Sequence, residues 1–72
     1  MRNGIWAVVH DEITEATYLR SWHDRDAFED WLDYVPTTWR VVRWWFGPPP
    51  GAELEKIKAD YADTWRELCN KT

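Results

Sequence analysis

Cysteine is almost missing from this chain. Cys69 is the only one in 72 residues, so no internal disulfide can staple the fold. A lone thiol fits a reducing compartment better than a secreted setting. Glycine is also scarce, at three residues, and proline stands at four, three of them in the run Pro48-Pro49-Pro50. The sequence holds no glycine-rich phosphate loop. Long apolar runs are missing too. Ile5 to Val9 is followed at once by His10 and Asp11, too short for the apolar part of a secretory signal or for the ~20 residues of a membrane span. These absences point to a soluble, cytoplasmic protein. Bases are the minority charge, nine Lys and Arg against thirteen Asp and Glu, for a net charge of −4. That balance argues against a duplex DNA binder that works by neutralising phosphates.

What the chain has instead is tryptophan, seven in all, with three Tyr and two Phe. A chain this short sits near the lower size limit for folding without disulfides or metal, and residues 1–72 are expected to make a single domain. Its core must come from the aromatics, each of which buries roughly 150–250 Å². Charge is unevenly spread. From Asp11 to Tyr34, eight acids (Asp11, Glu12, Glu15, Asp24, Asp26, Glu29, Asp30, Asp33) stand against Arg20 and Arg25. From Val35 to Pro50 the charged residues are Arg40 and Arg43 alone. An acidic helix is therefore followed by a basic aromatic strand.

The pattern predicts an α+β fold, a small ββαβα domain with a three-stranded, mainly antiparallel sheet and two amphipathic helices. Ile5 to His10 and Ala16 to His23 read as strands joined by a short turn. The turn has no Asn-Gly or Asp-Gly, so its type and register are open. Asp24 is placed to cap a helix over Arg25 to Val35, where Phe28, Trp31, Leu32 and Val35 recur at helical spacing. Pro36 ends that helix. Trp39 to Phe46 is the strongest strand pattern, closed by Gly47 and the proline run. Ala52 to Lys71 is predicted as a second helix, with Leu54, Ile57, Tyr61, Trp65 and Leu68 on one side.

Side chains alternate across a sheet. Strict alternation puts Ile5, Ala7, Val9, Leu19, Val42, Trp44 and Phe46 under the helices. The opposite face then carries Trp6, Tyr18, Trp22, Trp39 and Trp45 with Arg20, Arg43 and His10. Both helices can lie on one side of the sheet, or the last can cross to the aromatic side. An open aromatic face of this kind is offered to a partner, and Trp, Tyr and Arg are the residues enriched at interface hot spots. The candidate partner-binding set is thus Trp6, Tyr18, Arg20, Trp22, Trp39, Arg43 and Trp45. Unpaired bases are a second possible occupant, since aromatics interleaved with arginine serve as stacking platforms. Trp39, Arg43 and Trp45 would carry that role. The third possibility is coverage within the fold, with aromatic and cation–π pairs across the strands.

Asp26, Glu29, Asp30 and Asp33 form a second candidate surface opposite the apolar stripe of the first helix. They read as a solvated helix face or as an anionic row that mimics nucleic acid. The proline run reads as a strand stop, with docking into a polyproline groove the alternative. His10 and His23 lack the spacing of a metal site, Ser21 lacks an adjacent base, and Cys69 reads as a small core residue. No cofactor, metal or catalytic residue is expected. The sequence therefore points to a non-catalytic protein-binding module, an inhibitor or adaptor of a larger protein such as a host protein, with self-association as a further option. Its size and acidity resemble those of the accessory proteins that bacteriophages make to intercept host machinery.

Overall fold

The computed structural model describes residues 4–66. Five elements follow one another: β1 (Ile5–Asp11), β2 (Ala16–Trp22), α1 (Arg25–Tyr34), β3 (Trp39–Phe46) and α2 (Gly51–Asp60). The expected ββαβα order and α+β class hold. The strands form one antiparallel sheet in the order β2-β1-β3, with β1 in the centre. That position explains its apolar run, because a strand covered on both faces has no need to alternate. Ile5, Ala7, Val8 and Val9 are all essentially sealed from solvent.

The β1–β2 hairpin turns through residues 12–15, with Asp11 opposite Ala16. Asp11 anchors the turn by accepting the amides of Ile13 and Thr14 at 2.9 and 3.5 Å, an Asx arrangement. Glu15 closes it in the left-handed region at φ 56°. Four loop residues pair odd-numbered β1 residues with even-numbered β2 residues, so Ile5 lies opposite Trp22, Ala7 opposite Arg20 and Val9 opposite Tyr18. This reverses β2 relative to the sequence-based expectation. Tyr18, Arg20 and Trp22 share the face of Ile5, Ala7 and Val9, and Leu19 lies on the other face opposite Val8.

β3 carries a second correction. Its register against β1 shifts between Val8 and Val9, so that Arg43 and Val41 pair with them and Val42 is the extra residue of a β-bulge. The bulge changes the phase of alternation. Trp39 and Val41 before it, and Trp44 and Phe46 after it, all fall on the face of Ile5, Ala7 and Val9. Arg40, Arg43 and Trp45 fall on the other.

α1 covers the first of these faces. Asp24 caps it by accepting the Ala27 amide at 2.9 Å. Phe28 inserts into the cluster of Ile5, Ala7 and Val9, and Tyr18, Trp22, Trp31, Trp39 and Val41 pack around it. The rings of Trp22 meet Phe28 and Trp31 at centroid distances of 4.8 and 5.0 Å. α2 crosses to the opposite face. Glu53 accepts from the Trp45 indole at 3.1 Å and pairs with Arg43 at 2.8 Å, and the Tyr61 ring lies 5.5 Å from that of His10.

The second helix is shorter than its apolar pattern predicts, ending at Asp60 with Tyr61 as its cap. Tyr61's carbonyl takes the amides of Thr64 and Trp65 in a tight turn. The chain then runs parallel to the start of β2, Thr17 donating to the Thr64 carbonyl and accepting from the Arg66 amide, both at 2.8 Å. Bridging to a strand edge thus replaces a further helical turn at Trp65. Leu68 and Cys69 lie outside the described residues.

Thr17 is fully buried, and its hydroxyl joins His10 Nδ1 at 2.8 Å to the Thr64 hydroxyl at 2.6 Å. Thr17→Val keeps the shape and removes the link, leaving polar partners facing an apolar surface. It should cost about 1–3 kcal/mol. Asp24→Ala, by loss of the cap, should cost about 1 kcal/mol. Urea unfolding of the two variants beside wild type checks both values.

Candidate protein-binding surface

The seven residues expected on one aromatic face are divided between two. Tyr18, Arg20, Trp22 and Trp39 sit under α1, whereas Trp6, Arg43 and Trp45 sit on the α2 side. The four-residue turn moves the first three and the bulge moves Trp39. Under α1, Tyr18 stacks on Trp39 at 5.9 Å and Trp31 meets Trp39 edge-on at 6.2 Å. Arg20 lies over the rings of both Trp22 and Trp31 at 5.7 and 5.8 Å, a cation–π contact on two faces at once. These four side chains are half-buried and mutually engaged.

On the α2 side, Trp45 lies opposite Trp6, and Arg43 lies over the Trp45 ring at 5.7 Å while held by Glu53. Val42, Arg43, Glu53 and Ile57 line a crevice of about 270 Å³ between β3 and α2. Arg40 pairs with Glu12 at 3.3 Å. Its guanidinium is held above its ordinary pKa, chiefly by the hydrogen bond and charge interaction with Tyr61 and then by Glu12. A stacking platform built from Trp39, Arg43 and Trp45 is not assembled, because Trp39 lies across the sheet from the other two.

The acidic row is exposed as expected. Asp26, Glu29, Asp30 and Asp33 all face solvent on α1, and Glu29 is engaged by Arg25 one turn earlier at 2.8 Å. A second cleft, of about 600 Å³, opens beside His10, Glu15, Asp60, Tyr61 and Asp63. It is polar and contains no basic side chain other than His10. Among the described residues no group of His, Cys, Asp and Glu can hold a metal ion, and no helix is long and apolar enough to cross a membrane.

The open aromatic surface lies where core was expected. Trp44 and Phe46 are 44% and 65% exposed. Both project from the α1 side of β3, and their rings pack edge-to-face at 5.0 Å. Trp44 also touches Phe28 at 5.9 Å, so the exposed pair is continuous with the core. α1 leans toward β2 and leaves this margin of the sheet bare. β3 is an edge strand, and among the described residues nothing pairs with its outer side. β2's outer edge, by contrast, is bridged at Thr17. Exposed apolar side chains along an unpaired strand edge form a template for another chain. The sequence signal was present in the arginines: Arg40 and Arg43, three apart, share a face only if the strand is bulged.

No protein-family model matches this chain, and neither a curated protein nor a solved structure resembles it closely enough to count as a relative.

Proposed function

We propose that this domain is a small non-catalytic protein-binding module, acting as an inhibitor or adaptor of a larger protein, and that it docks through the free edge of β3. The observation that carries this reading is the exposed Trp44–Phe46 pair on a strand edge that has no neighbour among the described residues. Large apolar rings kept in water at an edge are a liability unless a partner covers them. Aromatic side chains also supply most hot-spot energy when a partner does so. The expected setting is the cytoplasm, where a chain with one cysteine needs no disulfide. Interception of host machinery, as by a bacteriophage accessory protein, is the kind of role this size and acidity would suit.

A second reading rests on the solvent-facing row Asp26, Glu29, Asp30 and Asp33, which would act as a mimic of nucleic-acid phosphates on a basic partner. Single-stranded nucleic-acid binding loses its support with the separation of Trp39 from Arg43 and Trp45.

Two charge substitutions separate the readings. If the β3 edge is the interface, Phe46→Lys should weaken capture of the partner by about 30-fold or more, while Asp30→Lys leaves it within about twofold. Because Phe46 is largely exposed, its replacement should shift the urea midpoint little. The reverse pattern, with affinity falling steeply in salt, would assign the interface to α1. Titration of each variant against the captured partner by calorimetry, at low and high salt, decides.

A further inference from the structure

We infer that the free edge of β3 pairs with the same edge of a second copy of this chain, antiparallel, about a two-fold axis at Trp45. This rests on the reading of the β3 edge as an interface, and a second copy and a larger partner would compete for it.

The argument begins with the direction of the backbone groups. Gly47 donates its amide to the Gly4 carbonyl at 2.7 Å, toward β1. N–H and C=O groups alternate sides along a strand, so Gly47, Trp45 and Arg43 turn theirs inward, and Trp44 and Phe46 turn theirs out. The Val42 bulge interrupts the regular edge on one side, and Pro48, with no N–H, ends it on the other. Four backbone groups are therefore presented, two donors and two acceptors.

A two-fold axis at Trp45 sets Trp44 of one copy opposite Phe46 of the other. All four groups of each copy then find partners, making four inter-strand hydrogen bonds. Shifting the axis to Trp44 sets Phe46 opposite the bulge at Val42. Shifting it to Phe46 sets Trp44 opposite Pro48, which cannot donate. Only the Trp45 register satisfies the whole edge.

Side chains agree with that register. The exposed rings of Trp44 and Phe46 meet their counterparts on the α1 side, where cross-strand aromatic pairs are favourable. Arg43 falls opposite Gly47, so no like charges meet across the axis. Residues 35–50 contain no acid to disturb the contact. The surface is complementary to itself, as an isologous interface requires. The pairing is short, which places the dimer among weak interfaces.

Sedimentation velocity from about 1 µM to about 1 mM should show a monomer–dimer equilibrium. Phe46→Pro removes an outward donor used twice in the dimer and leaves the bonds to β1 in place. It should weaken association by about tenfold or more, and Phe46→Lys should do at least as much, with circular dichroism confirming that each variant folds. If the proline variant misfolds, oxidation of Trp45→Cys in a Cys69→Ser background decides. Directly opposed residues without hydrogen bonds approach closely enough for a disulfide, so Trp45→Cys should cross-link and Arg43→Cys should not. A chain that stays monomeric throughout, a dimer indifferent to both Phe46 variants, or equal cross-linking through Arg43→Cys would overturn the inference. A monomer that still loses a larger partner on Phe46→Lys removes the second copy and keeps the functional reading. A Phe46-dependent dimer that captures no larger protein supports the pairing and removes that reading.

Discussion

Everything in this fold depends on β1 being covered on both sides. Its five apolar residues cannot be satisfied by one helix, because successive side chains point to opposite faces. Ile5, Ala7 and Val9 require α1, and Val8, equally sealed, requires something on the other face. α2 answers that demand. It has no fully buried residue of its own, and it is held at its edges by polar contacts from Glu53 and Tyr61. The helix with the aromatic stripe makes the core, and the helix with the charged surface closes it. A chain that cannot use internal disulfides reaches a stable size this way, with both faces of its central strand removed from water.

The elements were legible in the sequence because each has a local cause. Asp24 caps α1, Pro36 follows its end, and Gly47 with the proline run stops β3. The faces were not, because two parities were set by local features, a turn without a signature and a bulge with a faint one. The hairpin lacks the Asn-Gly or Asp-Gly that would announce a two-residue turn, and a loop one residue longer or shorter would have turned Tyr18, Arg20 and Trp22 outward. The bulge at Val42 does the same to Trp39. Its trace was readable: Trp39 and Val41, then Trp44 and Phe46, form two in-phase pairs separated by a three-residue step. The turn moved Leu19, and the bulge moved Val42, out of the layer that strict alternation assigns them. The length of α2 failed differently. The apolar residues at Tyr61 and Trp65 keep helical spacing, but the buried edge of β2 at Thr17 offers Thr64 and Arg66 backbone partners that another helical turn would forgo. Tertiary pairing outweighed a weak local preference.

The tryptophans consequently serve different ends. Trp22, Trp31 and Trp39 interlock around Phe28 and Tyr18, giving a short helix enough contact area to hold a sheet. Trp45 spends its polar atom on Glu53, which ties α2 to β3. Only Trp44, of these, is left exposed. Its neighbour Phe46 is more exposed still, so the exposed aromatic residues of the sheet belong to one short stretch of one strand, and Tyr34 at the end of α1 is the other exposed ring.

That stretch is also where the sheet is least protected. Edge strands are commonly guarded by charges, bulges or a covering segment. β2 has the last of these. β3 has its bulge at Val42 and its proline stop at Pro48, and both guard the ends while leaving Trp44 to Phe46 open between them. Arg40 and Arg43 do not guard it either, since each is turned to the α2 face and neutralised by Glu12 or Glu53. The same devices that prevent open-ended growth along this edge define a paired segment of fixed length. A strand that can accept three residues of a neighbour and no more favours one discrete contact over aggregation. The placement of the bulge therefore does two things at once: it carries Trp39 into the core, and it limits what can bind beside Trp44 and Phe46.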